Sequence, residues 1–471
     1  MTQFFVIALT ILGMQYAQAS NLPDLGSPDL VTYDSQTEQA LGRAFSRELN
    51  TQYPMIRDPE SLHYIREIGH KITRETGNNR TFKFYIIDDA EINAFAGPNG
   101  IIGIHSGLIM SADSEDELAS VIAHEVAHVT QNHLSRTYNA QSNVNITSIA
   151  TLIAAILVGT QDPSAGIATY MGGMGLNIQE QLKNSRAHEH EADYFGIDYL
   201  AKAGYDPMAM SDFFGKLSKA SQLYEFKVPE LLLTHPVTET RLAQAQDRAS
   251  QLPKTIKKSN SLNFELLKLR IHALSNQTKL SPDALSHLNT YEQCYLKNTV
   301  ALSKNIETDL DDSCLNAMST EYKTEKLPLL ILAQVNSAQK KAKALTQFQY
   351  LTDLFPNDPS ILLRKAQALA NLENRQKAQQ LIEDSVALFN DKTLLYNELA
   401  ELYAQDEKPQ NLAYSYYYGA LANIEIGNFK NAKHLLEKAK TINKDYNSDL
   451  RGKIETLLNE PFQDDEKTKE K

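Results

Sequence analysis

Cysteine is scarce in this chain: two residues, Cys294 and Cys314, in 471. Neither has other ligand-type residues around it at metal-binding spacing, so a metal site built on sulfur is excluded. Basic runs are missing as well. Lys and Arg number 46 against 58 Asp and Glu, a formal net charge of −12 with no Lys/Arg-rich patch to offset it, which argues against a nucleic-acid partner. No apolar run reaches the roughly 20 residues that a membrane-spanning helix needs; the candidates are Phe4 to Gly13 and Ile146 to Val158.

What is present begins with an export signal. Phe4 to Gly13 is an apolar core and Ala17-Gln18-Ala19 an A-x-A cleavage site, so residues 1–19 are expected to be removed, leaving Ser20 as the mature start. The segment departs from pattern in having no Lys or Arg ahead of its apolar core, and no cysteine follows Ala19 to carry a lipid. An exported chain meets an oxidising compartment. There Cys294 and Cys314, with 19 residues between them, pair across neighbouring helices or stay as two thiols; the sequence leaves both open. A length of 471 residues and 42% hydrophobic content predict two or three domains with substantial cores.

The most informative stretch is His124-Glu125-Val126-Ala127-His128. On a helix, residues i and i+4 share a face, so both imidazoles can reach one ion. Glu125 can lean toward that ion without binding it. This is the H-E-x-x-H arrangement of zinc metalloproteases, in which zinc acidifies water and the glutamate takes its proton. The preceding run, Glu115 to Ala123, has no Pro or Gly and reads as helix, and Val121, Ile122, Ala123, Val126, Ala127 and Val129 predict that it is buried. A surface helix with two solvated histidines is the alternative. His133 lies nine residues after His124. At about 100° per residue it falls on the opposite face and is expected to be structural.

A catalytic zinc takes three protein ligands. The segment Ser185 to Asp193 is dense in ligand-capable side chains, and spacing alone does not choose among them. If it is helical, Glu189 and Asp193 share a face while His188 and His190 project to either side. A charged, solvent-exposed helix is the bland alternative.

H-E-x-x-H followed at long distance by S-R-x-x-E-x-x-A-D (Ser185, Arg186, Glu189, Ala192, Asp193) resembles the M48 family of metallopeptidases. Two further stretches are similar to that family. One is Asn93 to Ala96 with the turn Gly97 to Gly100 and the run Ile101 to Ile104; the other is Thr234-His235-Pro236 with Arg241 beyond. The resemblance covers most of residues 40 to 250. It implies a zincin-like domain of helices plus a small β-sheet over residues 20–254, holding one Zn2+ per chain. His124, His128 and Glu189 are then the ligands, Glu125 is catalytic, and Asp193 orients a ligand. In the exported, repeat-bearing subgroup of the family, a histidine at the position of His235 is implied to cap the zinc as a fourth, regulatory ligand. That subgroup also implies a periplasmic location and clients that are unfolded, stalled or misassembled outer-membrane β-barrel proteins. It further implies docking to the barrel assembly machinery and a chaperone role beside proteolysis.

The rest of the chain is read from pattern. Gln36 to Glu48 and Glu60 to Thr76 are helical, and Phe82 to Ile87 alternates as a strand. An edge strand beside the active helix could bind an extended substrate by backbone pairing. Residues 146–176 form an apolar, then Gly/Met-rich insert, read as a core helix with a loop, a lid, or a hairpin in peripheral contact with a membrane; the first is favoured. Thr255 to Ser261 is a polar linker. Beyond it, residues 262–460 are expected to form an all-α tetratricopeptide-like solenoid of roughly four helix pairs. Ala344 and Ala378, and Ala366 and Ala400, are 34 apart, the period of that repeat. Its concave surface would recognise partners, with Tyr414, Tyr416, Tyr417 and Tyr418 as candidate lining. Residues 461–471 are a charged tail expected to be disordered. The predicted fold is therefore mostly α, a zincin-like domain followed by a solenoid. The competing functional class is a non-catalytic scaffold or chaperone with a structural zinc, against which the presence of Glu125 argues.

Overall fold

A computed structural model of the protein describes residues 35–139, 178–223, 228–253, 262–317, 322, 324–406, 408–444 and 447–459. The expected signal (1–19), the insert 146–176, the linker 255–261 and the tail 461–471 lie outside the described residues. So does the side chain of Ser185.

Helices α1 (Ser35–Gln52) and α2 (Pro59–Arg74) precede three short strands, β1 (Lys83–Ile87), β2 (Ala94–Gly97) and β3 (Ile101–His105). The sheet order is β1-β3-β2, with β1 parallel and β2 antiparallel to β3. That leaves β2 at an edge. Helices α3 (Ser106–Ser111), α4 (Glu115–Thr130), α5 (His133–Asn139), α6 (Ile178–Lys202), α7 (Ala209–Leu223), α8 (Glu230–Thr234) and α9 (Glu239–Ser250) follow. Among the described residues, no helix is long and apolar enough to cross a membrane.

Helix α4 is the centre of this first unit. Ser114 caps it by accepting from the Glu117 backbone N–H at 3.2 Å, and Glu115, Asp116 and Glu117 place negative charge at the positive end of its dipole. From Leu118 to Ala127 every residue is buried, as expected for a helix that is apolar on nearly all sides. It packs between the sheet and α6. Gly196 of α6 permits the close approach, since a Cβ there would lie 3.2 Å from both the Ala123 carbonyl oxygen and the His124 Cα. In the two turns before that contact, α6 delivers Glu189 and then Asp193 to the face of α4 that carries the histidines.

The C-terminal region is entirely helical among its described residues. It comprises α10 (Leu262–Leu274), α11 (Pro282–Ser286), α12 (Thr290–Ser303), α13 (Asp312–Asn316), α14 (Lys326–Ala338), α15 (Lys343–Leu354), α16 (Pro359–Leu372), α17 (Arg375–Ser385), α18 (Thr393–Ala404), α19 (Pro409–Glu425), α20 (Phe429–Ile442) and α21 (Ser448–Asn459). Four helix pairs start at Lys326, Pro359, Thr393 and Phe429, at intervals of 33, 34 and 36 residues. Ala344, Ala366 and Ala378 are fully buried where neighbouring helices meet. Cys294 and Cys314 form a disulfide joining α12 to α13. The four tyrosines of α19 pack on cores between the pairs rather than forming an open platform: Tyr414, Tyr416 and Tyr417 on one, Tyr418 on the next. Tyr403 and Tyr418 both donate to Glu383 at 2.8 Å.

The two regions are joined through the charged side of α2. Asp58, which caps α2, accepts from Arg270 of α10 at 2.6 and 2.7 Å, while Glu60 meets Arg270 at 2.9 Å, Arg364 of α16 at 2.8 Å and Gln334 of α14 at 2.7 Å. One turn on, His63 lies 3.1 Å from Asp358, and Lys326 bridges Asp358 at 3.2 Å and Glu67 at 2.9 Å. Arg66 then reaches Asp391 at 2.5 Å. The apolar side of α2 (Ile65, Ile68, Ile72) belongs to the same core as α4. At the far end, Gly427 (φ 79°) seats the turn before α20 against α1, where a Cβ would lie 2.7 Å from the Arg43 carbonyl oxygen.

Candidate metal centre

Helix α4 sets His124 and His128 one turn apart with their Nε2 atoms 3.1 Å from each other. Glu189 places Oε2 3.4 Å from His124 Nε2 and Oε1 3.5 Å from His128 Nε2. His235, which ends α8, brings Nδ1 to 3.3 Å from His124 Nε2 and 3.0 Å from both oxygens of Glu189. One donor atom from each of these four residues lies within 4.8 Å of all the others, and no other such group occurs among the described residues.

This donor set fits a zinc ion. Imidazole nitrogens and a carboxylate are its usual N/O ligands, whereas calcium and magnesium need more oxygens. Two imidazole nitrogens facing each other at 3.1 Å repel unless a proton or cation lies between them. His124, His128, Glu189 and His235 would hold the ion.

Each helix histidine has a partner on its outward nitrogen. His124 Nδ1 lies 3.0 Å from Asp193 Oδ1, and Asp193 accepts from Arg241 Nε and Nη2, both at 2.7 Å. Arg241 also stands 2.9 Å from Glu189 and donates to the Pro236 carbonyl at 2.9 Å, tying the His235 loop to the site. His128 Nδ1 lies 2.8 Å from His133 Nδ1. Glu125 is 1% exposed. Its carboxylate lies near Ala96 of edge strand β2 and 3.5 Å from His235 Nε2.

Charge in the site follows from burial against pairing. Burial pushes the Glu125 carboxyl up and the His128 imidazole well down. Burial also opposes charge on Glu189, yet His235 and His128 hold it well below the carboxylate range. Asp193 is likewise lowered, with His124 and Arg241 outweighing burial. For His124, burial is overridden by Asp193 and Glu189, which raise it to about 10. A cation at Nε2 would take the place of that proton.

The structure brings His124, Glu125, His128, Glu189, Asp193 and His235 together. It leaves His188 and His190 outside the donor set; His188 stacks on His133 with ring centroids 4.3 Å apart. His133 differs from expectation. It does not ligate, but neither does it sit on the far face of α4, because the helix stops at Thr130 and Asn132 turns left-handed (φ 56°). That turn swings His133 back onto His128. Arg241 was legible only as part of a motif; its salt bridge to Asp193 spans 48 positions, beyond any local spacing rule.

An H-E-x-x-H helix beside a small sheet, with a distant carboxylate completing the donor set, defines a zincin-like metallopeptidase domain. Residues 59–249 match the sequence model of Peptidase family M48. The chain is 42% identical over 253 residues to the "Putative beta-barrel assembly-enhancing protease" of Vibrio cholerae serotype O1, covering 54% of this chain and 52% of that one. It is 36% identical over 270 residues to the "Beta-barrel assembly-enhancing protease" of Escherichia coli K12, covering 57% and 55%. With "Metalloprotease LoiP" of Escherichia coli K12 it shares 28% identity over 255 residues, 52% of this chain and 94% of that one. The chain thus spans about half the length of the first two relatives.

Proposed function

We propose that this chain is a zinc endopeptidase of the periplasm that acts in the assembly and quality control of outer-membrane β-barrel proteins. The observation that carries the reading is the convergence of His124, His128 and Glu189 beside Glu125 in an M48 domain. Bound zinc would supply Lewis-acid polarisation of a peptide carbonyl and of water. Glu125 takes a proton from water and returns it to the leaving amine; burial, by raising its carboxyl, suits a group that must do both. Asp193 holds the His124 ring through its outward nitrogen, and Arg241 balances Asp193. Edge strand β2, which packs beside α4, offers backbone pairing to an extended chain of any sequence, which suits unfolded or stalled clients. The names of the two β-barrel assembly-enhancing relatives support the client class.

His235 gates the site. Its Nδ1 fills a fourth donor position and its Nε2 faces Glu125, so one ring both closes the coordination set and engages the base. The helix pairs after residue 326 form a tetratricopeptide-like module that docks on the assembly machinery and gives the protein a chaperone role separate from cleavage. The test is His235→Ala. Purified chain should carry one zinc per molecule and degrade an unfolded β-barrel protein slowly. The variant should degrade it roughly tenfold faster, the effect of removing about 1.4 kcal/mol of competition, with chelator stopping both. Metal-free protein, or a folded variant no faster than the parent, sinks the respective half of the proposal.

A further inference from the structure

We propose that His133 and Glu191 form a neutral relay that fixes the ligating tautomer of His128, making His133 a positioning residue of the metal site. The inference rests on the metal-binding part of the proposed function and extends it to two residues that bind no metal themselves.

The backbone sets this up. Helix α4 would carry residue 133 away from His128 if it continued, but Asn132 breaks it in the left-handed region (φ 56°). Its side-chain oxygen accepts from Arg80 at 2.6 Å. Asn tolerates that conformation better than most residues. The chain re-enters helix at His133, whose ring is buried (5% exposed) and stacks on His188 at 4.3 Å.

The hydrogen-bond sense then follows from the chemistry of imidazole. A neutral ring has one N–H and one lone pair. His128 Nε2 lies in the convergent donor set, so to ligate it must carry the lone pair, and the proton belongs on Nδ1. His133 Nδ1, at 2.8 Å, is the acceptor for that proton. Its own proton therefore sits on Nε2 and donates to Glu191 Oε2 at 3.0 Å, which Arg136 Nη1 holds at 2.6 Å. Reversing the sense would turn the His128 N–H toward the donor set and remove a ligand. Metal-bound histidines generally have such an outward acceptor, and its loss typically costs about 10- to 100-fold in metal affinity.

The arrangement parallels that of the other ligand, where His124 meets Asp193 and Asp193 meets Arg241. Both relays end on an arginine, but only one uses a carboxylate in direct contact. Glu125, Glu189 and Asp193 already crowd the buried site with acidic groups. An imidazole spacer provides an acceptor for His128 while keeping the relay's negative charge on Glu191, which is 31% exposed and paired. Burying a further charge beside the metal would be costly.

The test is zinc affinity of the full chain, by competition with a chromogenic chelator, together with the visible spectrum of the cobalt(II)-loaded protein. His133→Phe keeps a flat ring but has no acceptor; it should bind zinc about 10- to 100-fold more weakly and shift the cobalt bands. His133→Asn, whose amide oxygen can accept near the Nδ1 position, should restore part of the affinity. Glu191→Ala, at the rim, should lose several-fold and serves as the deciding variant if His133→Phe does not fold. Parental affinity and spectrum in folded His133→Phe, or unchanged affinity in Glu191→Ala if only that variant folds, overturn the relay. The readout does not depend on cleavage: a parent that binds zinc yet degrades nothing removes the proposed protease and leaves the relay standing. A parent that binds no zinc removes both.

Discussion

Glu125→Gln, made in the His235→Ala chain, should lower degradation of an unfolded β-barrel protein by about a thousandfold while zinc content stays at one per molecule. General acid–base groups contribute roughly 10²- to 10⁴-fold. Glu125 is placed to act in that range, since it is 1% exposed and adjacent in sequence to His124. Glutamine has nearly the same shape, so the strand and helix should keep their positions. What it lacks is a site that takes and returns a proton. A gel-based time course together with metal analysis separates the outcomes. Full turnover in a zinc-loaded Gln variant would dismiss Glu125 as the base, and loss of zinc would show that the change damaged the site itself. If the same variant still assists barrel assembly in cells, the chaperone role stands apart from hydrolysis.

The second large effect lies well away from the metal. Arg270 is 4% exposed and touches both Asp58 and Glu60. Arg270→Met keeps much of the volume but leaves two buried carboxylates with Arg364 as their remaining guanidinium partner. Removing one member of a buried ion cluster costs about 3–5 kcal/mol. Urea unfolding of the variant should show a loss of this size, and hydrogen exchange should quicken first in α2 and α10. A loss below about 1 kcal/mol, the scale of exposed pairs, would mean that the network is not sequestered from water.

The same interface predicts a pH dependence. Burial raises Asp58 and Asp358, but Arg270 in the first case, and His63 and Lys326 in the second, hold both well below their ordinary value of 3.8. Their stabilisation is therefore present above that value and lost as pH falls through the depressed values. His63 goes the other way: burial opposes its charge, yet Asp358 and Glu67 raise it above 6.5. Its contribution is complete below 6.5 and fades as pH rises through the raised value. Attachment of the two regions should thus be strongest between 3.8 and 6.5, and unfolding midpoints across pH should fall on both sides of that window.

How much was legible in the residues depended on distance along the chain. His124, Glu125 and His128 share one helical turn, so periodicity alone aligns them, and the apolar residues around them announce burial. Glu189 needed a family resemblance, because several neighbouring side chains are chemically suited to bind. His133 was misplaced by extending a helix through Asn132, whose left-handed turn has no strong local signature. The polar side of α2 is the clearest case of information that local pattern does not hold. Asp58, Glu60, His63, Arg66 and Glu67 look like a solvated face, yet the partners of Arg66 and Asp58 lie 325 and 212 positions away. The tyrosines of α19, candidate lining by composition, are partly buried against the cores between helix pairs.

Helix α2 has a consequence for any protein that would dock on the faces of α10, α14 and α16 that it covers. It already occupies them, held by the ion pairs of Asp58, Glu60 and His63. A visitor to those faces must outbid this internal occupant, so weak encounters leave the assembly shut and only tight or multipoint ones displace it. Because the opposite side of α2 shares a core with α4, such a displacement would pull directly on the helix that carries His124 and Glu125.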